Sequence, residues 1–368
     1  MGLKVSIVGA GIAGLSLAWA LSKRGAAVAL FEQGAVPNPL SSSYDEHRIT
    51  RHSYGSLSGY GALMPSAFRT YDELWVDLGV RHMHPSPLIF VGRQKSGWYE
   101  TTARDLDAAG IAHRALTRAD IERILPMLRT EGIIDAFESD GAGELFASRI
   151  VTSLAAWLRE AGVAIHEHAR VRAVDPATGR VTTDKGTFDA DIVVVAAGAW
   201  LLDLVPAVGG RLTPSRQTML YLKPPARFEA AWRAAPVIVD TGVTHGAYVL
   251  PPKEGTRLKI GDHVFTRRGA GGDDRIATPA DIAPVAAAAR ESFIAFDDYE
   301  VLEAKVCHYT VTVDERFVVE PIGPAGWLLS ACSGHGFKLG PLISRGLADA
   351  LIGRRAAGEI PAWAAGLG

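Results

Sequence analysis

Cysteine is nearly absent: Cys307 and Cys332 are the two among 368 residues. That excludes a disulfide framework and a cysteine-built zinc site, and it points to a reducing, cytoplasmic setting. No apolar run is long enough to span a bilayer, so no membrane partner is expected. An excess of charge is missing too, with 38 Lys plus Arg against 40 Asp plus Glu. A nucleic-acid or polyanionic partner is therefore not expected. Internal repeats and low-complexity tracts are lacking. The apolar start from Val5 to Leu21 has no cleavage site and carries glycines at fixed spacing, so it is expected to be fold and not signal peptide. Met1 to Ser6 fits a loose myristoylation pattern, but Ser6 falls inside what reads as a buried strand. What is present is ordinary globular composition, 48 % hydrophobic and 21 % charged, at a length that allows more than one domain.

The apolar run Leu3 to Val8 predicts a strand, Ile12 to Lys23 a helix and Ala27 to Phe31 a second strand. Together they make one βαβ unit, the entry to a doubly wound α/β sheet. Helices are also predicted over Ala67 to Leu78, Arg118 to Leu125 (capped by Thr117), Ser148 to Ala161, Pro279 to Phe296 and Gly340 to Ile352. Asp191 to Ala196 reads as a buried parallel strand. Between the first strand and helix stands Gly9-Ala10-Gly11-Ile12-Ala13-Gly14. Gly9 permits a tight turn, Gly11 lets backbone approach a pyrophosphate, and Gly14 lets helix and sheet close together. The helix N-terminus then offers free N–H groups to the anion. Glu32, followed by Gln33, ends the second strand, where a carboxylate accepts from ribose hydroxyls and favours an unphosphorylated ribose. A chance glycine cluster would not carry these flanks.

Two later segments resemble the glutathione-reductase type of flavoprotein and select FAD. Asp189 to Val195 followed by Ala196-Ala197-Gly198 is similar to its second fingerprint, and Val171 sits where that group contacts adenine. Each alone is also readable as a plain buried strand. A second strand–GxGxxG–helix unit is missing, so electrons are expected to leave to oxygen or another external acceptor and not to arrive from a nicotinamide.

Five further segments resemble the FAD-dependent amine oxidases of the D-amino-acid oxidase superfamily, in particular the monomeric sarcosine oxidase and N-methyltryptophan oxidase group. They are Asp45 to Gly55, Pro214 to Gln217, Arg257 to His263, Lys305 to Thr310 with Asp314 to Phe317, and Ser333 to Lys338. The resemblance implies a monomer that oxidises a small secondary or N-methylated amino acid. It implies FAD linked through Cys307, and a flavin-facing turn of Gly334, His335 and Gly336. Arg51 and Lys338 are implied as the clamp on the substrate carboxylate, and Arg48 as a further active-site cation. Lys259 is implied over the flavin to promote oxygen reduction, with Tyr248, Tyr309 and His263 bordering the cavity. The sequence departs from that group where it has Ser-His-His-Gly-Asp-Thr-Arg: here Ser42 to Arg48 reads Ser-Ser-Tyr-Asp-Glu-His-Arg, with Tyr44 in place of an active-site histidine.

The expected organisation is a discontinuous FAD-binding domain of residues 1–85, 140–215 and 300–368. A mostly antiparallel substrate domain of 86–139 and 216–299 completes it, with the ligand between them. The rival readings are a same-fold dehydrogenase serving a quinone or electron-transfer protein, a flavin hydroxylase, and a non-catalytic flavin sensor.

Overall fold

The computed structural model describes residues 2–95, 97–262 and 264–368. The fold is α/β and is built on two large sheets. Strand Lys4–Val8 lies at the centre of the first, between Ile192–Val195 and Ala27–Phe31, and is parallel to both. Ala164–His166 extends this sheet on one side, and Gly326–Ser330 with Val318–Gly323 on the other. A strand covered on both faces must be apolar throughout, which is why Val5, Ile7, Val193, Val194 and Val195 run nearly unbroken. Helix Ile12–Ser22 is buried almost all round, from Ile12 to Leu21. It has no solvent face because the amphipathic helices Ala147–Glu160 and Gly336–Leu351 close over it.

The second sheet has nine strands and is mostly antiparallel, with one parallel pair, Val237–Asp240 beside Met83–Gly92. Helix Pro279–Ser292 covers it over a core that includes Trp232, Phe293 and Tyr299, where Trp232 Nε1 donates to Tyr299 Oη at 2.9 Å. Arg48–Thr50 pairs with Asp135–Leu145. Glu300–Val311, grouped with the FAD-binding unit on sequence, runs here along Thr213–Lys223.

Local signals located most elements. Thr117 and Thr278 each close a capping box, with Asp120 and Asp281. Three helices differ from the sequence expectation. Ser58–Leu78 begins nine residues before Ala67 and runs through Pro65, because Tyr60, Gly61 and Met64 are buried there. The helix expected from Gly340 starts at Gly336 and runs through Pro341. The helix expected to reach Phe296 stops at Ser292, since Phe293 is extended and turns its ring into the core. Among the described residues, no helix is long and apolar enough to cross a membrane, and no cluster of His, Cys, Asp or Glu could hold a metal ion.

Candidate active site

Gly9 ends the first strand at φ +104°, and a Cβ there would meet the Ala196 carbonyl oxygen at 2.5 Å. A Cβ on Gly14 would fall 1.9 Å from the Gly9 carbonyl oxygen. The cradle therefore exists only with glycine at both places. Around it, Ala10 N donates to Glu32 Oε2 at 3.0 Å, and Gly34 N and Asn38 Nδ2 donate to Oε1 at 3.1 and 2.8 Å. Ile12 N donates to Ser43 Oγ at 3.0 Å, so the loop after Pro37 folds over the helix N-terminus.

From this cradle a cavity of about 710 Å³ runs between the two sheets. Its wall includes Gly9, Gly11, Ile12, Ala13, Glu32 and Gln33 at one end, then Val171, Ala197 and Gly198. Gly14 stands behind the turn, as its spacing role requires. This end, with the glycine turn and a fixed carboxylate at the strand end, fits the adenosine half of FAD.

At the other end the wall includes Arg48, Arg51, Tyr248, Tyr309 and the turn Gly334, His335, Gly336 with Lys338. The wall is completed by aromatic residues absent from the sequence expectation, Phe90, Trp98 and Phe265. Phe90 and Trp98 stack at 4.0 Å. Tyr248 lies across Gly261, where a Cβ would sit 2.5 Å from its Oη. His263 lies outside the described residues.

Two cations here have no ion-pair partner among the described residues. Arg51 Nε and Nη1 are buried with no hydrogen-bond partner among the described residues. Lys338 Nζ reaches the Gly334 carbonyl at 3.4 Å. Burial, then Arg51 and Arg48, bring the Lys338 ammonium down to about 7, and burial lowers Arg51 as well. Two desolvated cations side by side are unfavourable until an anion joins them.

A buried ion cluster beside the site was not legible in the sequence. Lys259, fully buried, donates to Asp45 Oδ2 at 2.6 Å and to the His47 carbonyl at 2.9 Å. Arg48 Nη2 lies 3.0 Å from the same Oδ2, Tyr221 Oη donates to Oδ1, and Lys305 Nζ is 3.8 Å from Oδ1. Burial alone would raise the Asp45 carboxyl, but Arg48, Lys259 and Lys305 overcome it and hold it far below the carboxylate range. Burial lowers Lys259 to about 8 against the pull of Asp45. Lys259 and Cys307 are outside the cavity wall. Tyr44 is outside it too, with its ring 4.6 Å from the Lys305 ammonium. The one signal in the sequence was the extra charge of Asp45 and Glu46; Glu46 in turn binds Arg257 Nε at 2.6 Å.

His47 and Glu144 form a second buried pair, Nδ1 to Oε2 at 2.6 Å. Burial raises Glu144 to about 8 and pushes His47 well below its usual 6.5. The folded pair therefore keeps one proton up to about pH 8. The unfolded pair holds one between pH 4.5 and 6.5 and none above. Stability from this pair is thus level from pH 4.5 to 6.5 and falls as pH rises from 6.5 to 8. One proton across that window amounts to about 2 kcal/mol. Glu144→Gln keeps a donor for Nδ1, so its urea stability should lack this fall. An equal fall in parent and variant would mean that other groups cause it.

A profile of the FAD dependent oxidoreductase family, DAO, matches residues 4–350. The N-methyl-L-tryptophan oxidase of Salmonella dublin is 27 % identical over 372 residues, covering 95 % of this chain and 94 % of that protein. NikD in its open form, an amino acid oxidase essential for nikkomycin biosynthesis, superposes with a TM-score of 0.80 at 19 % identity, covering 97 % of this chain and 95 % of that one. The L-proline dehydrogenase of P. horikoshii superposes with a TM-score of 0.84 at 17 % identity, covering 100 % and 97 %. At those identities the two structures speak for the fold alone. The family match runs through the glycine cradle, both sheets and the closing helix, and on it the chain belongs to the FAD dependent oxidoreductases of the DAO family.

Proposed function

We propose that this FAD-dependent oxidoreductase is an oxidase of a small secondary or N-methylated amino acid. The carrying observation is the pair Arg51 and Lys338, two buried cations facing a cavity continuous with the cofactor cradle. Arg51 supplies a planar fork for a carboxylate and Lys338 a second charge. The Salmonella relative, named for an N-methyl amino acid, supports the substrate class.

The reaction removes two hydrogens from the C–N bond: R₂CH–NHR′ and O₂ give R₂C=NR′ and H₂O₂, and water then hydrolyses the imine. When bound, the flavin supplies the two-electron acceptor. The protein's residues do the rest. Arg51 and Lys338 orient the substrate by its carboxylate. The unpaired positive charge of Arg51 and Lys338 disfavours a protonated amine beside them, so the reactive neutral amine is favoured. Lys259 adds positive potential for the anion that oxygen becomes on taking its first electron. An anaerobic screen of N-methyl and cyclic amino acids, read by flavin bleaching, tests the substrate class; a panel in which none bleaches the flavin would overturn it.

Cys307 is the proposed covalent tether. It stands opposite Gln217, a wall residue, and shares a strand face with Tyr309. Acid-precipitated protein should stay yellow in the parent and in Cys332→Ser, and turn colourless in Cys307→Ser. Colour released to the supernatant from fully loaded parent would remove the tether.

One observation favours a second reading. Lys259 is ion-paired with Asp45 and outside the cavity wall, which suits a dehydrogenase that passes electrons to a quinone or a protein. Oxygen uptake matched to substrate turnover separates the two.

A further inference from the structure

We infer that Asp45 is a positioning residue: it keeps Lys259 protonated and aims Arg48 at the cavity, so that the reaction with oxygen depends on a carboxylate outside the cavity wall. The inference rests on the reading of Lys259 given above.

The geometry is that of a hub. One oxygen, Asp45 Oδ2, takes both Lys259 at 2.6 Å and Arg48 at 3.0 Å. The two cations are thereby held at a fixed separation by a single atom. Arg48 also donates to the Ser42 carbonyl at 2.8 Å and to Tyr309 Oη at 3.4 Å, which leaves it spanning from Asp45 to the cavity wall. The hub itself is anchored. Tyr221 Oη holds Oδ1, and Ser148 donates to the Asp45 carbonyl from its N–H at 2.9 Å and its hydroxyl at 2.7 Å. Without the carboxylate, Arg48, Lys259 and Lys305 would face one another in a buried space, and the ammonium that gives way is Lys259, which burial already weakens.

The groups facing Lys259 come from every neighbouring element. Asp45, His47 and Arg48 approach from the loop and strand before Ile49, and Tyr221 from Thr213–Lys223. Lys305 and Cys307 approach from Glu300–Val311, Glu144 from Asp135–Leu145, and Arg257 from its own segment. Burial keeps His47 and Glu144 neutral up to about pH 8, and burial with Asp45 holds the Tyr221 phenol far above its usual range. Lys259 is thus the group in this cluster whose proton is poised near pH 8 and depends directly on Asp45.

The test is the pH profile of reoxidation, by stopped flow, in flavin-loaded parent, Asp45→Asn, Asp45→Glu and Lys259→Met. An opposite charge in contact moves a pKa by roughly 1–3 units. Asp45→Asn should therefore react fast only at a pH at least about one unit lower than the parent, and be roughly tenfold slower at pH 8. Asp45→Glu keeps the charge and should keep the parental midpoint. A uniform slowing of Asp45→Asn across pH, with its midpoint unmoved, would overturn the inference. A readout independent of turnover is urea unfolding. The double variant Asp45→Asn/Lys259→Met should resist urea better than Asp45→Asn, because the unpaired buried ammonium is gone; equal or lower resistance counts against the pairing. If Lys259→Met reoxidises as fast as the parent, the reading of Lys259 fails, and that result is separate from any shift between parent and Asp45→Asn.

Discussion

Changing Arg51 and Lys338 together to methionine should weaken binding of an unreactive carboxylate about 10³-fold and leave flavin content unchanged. Each cation contributes a charge-assisted contact in a desolvated site, worth roughly 1.5–3 kcal/mol. The two effects should not simply add, because the cations depress each other. In Arg51→Met the remaining Lys338 gains proton affinity and recovers part of the loss, so each single variant should lose about 10–100-fold. The parent carries a pH signature as well. With Lys338 at about 7 before ligand binds, carboxylate affinity should fall as pH rises through neutrality, since the deprotonated amine offers no charge. In Lys338→Met that fall should vanish. Titration of carboxylate into each variant, followed by flavin absorbance, reads all of this; parental affinity in both single variants would remove the clamp.

Lys259→Met should slow reoxidation by about 10²-fold, the equivalent of about 2.7 kcal/mol. The substitution removes one unit of positive charge from a fully buried place, where a charge acts far more strongly than in water. On the proposed reading the ammonium would act through its field, since it does not line the cavity. Anaerobic reduction by substrate should suffer less, because Arg51, Lys338 and the N-terminus of helix Gly336–Leu351 still face that step. Oxygen mixing and substrate mixing in the stopped flow separate the halves. Reoxidation at the parental rate would leave Lys259 a structural lysine and give the dehydrogenase reading the advantage.

Residues close in sequence were the ones whose roles could be read in advance. Gly9 and Gly14 cohere because the turn and the helix after it bring them together within six residues: the left-handed φ of +104° at Gly9 is set by the turn, and the 1.9 Å approach at Gly14 is to the Gly9 carbonyl itself. Thr117 caps its helix through Asp120, three residues on. The helix expected over Ala67 to Leu78 was legible only in its second half: it begins at Ser58 and runs through Pro65, since Tyr60 and Met64 on its first turns are fully buried.

The chain's own order of residues therefore determined the glycine turn, the α/β class and the set of cations available to the candidate site. Tertiary structure decided where those cations stand and what they contact. Arg51 and Lys338 came together from opposite ends of the sequence, and neither has an ion-pair partner among the described residues. Lys259, of the same charge, was given to Asp45 over a separation of 214 residues, and His47 to Glu144 over 97. An ion pair's energy depends on distance and on the exclusion of water, and neither quantity has any expression in local sequence pattern.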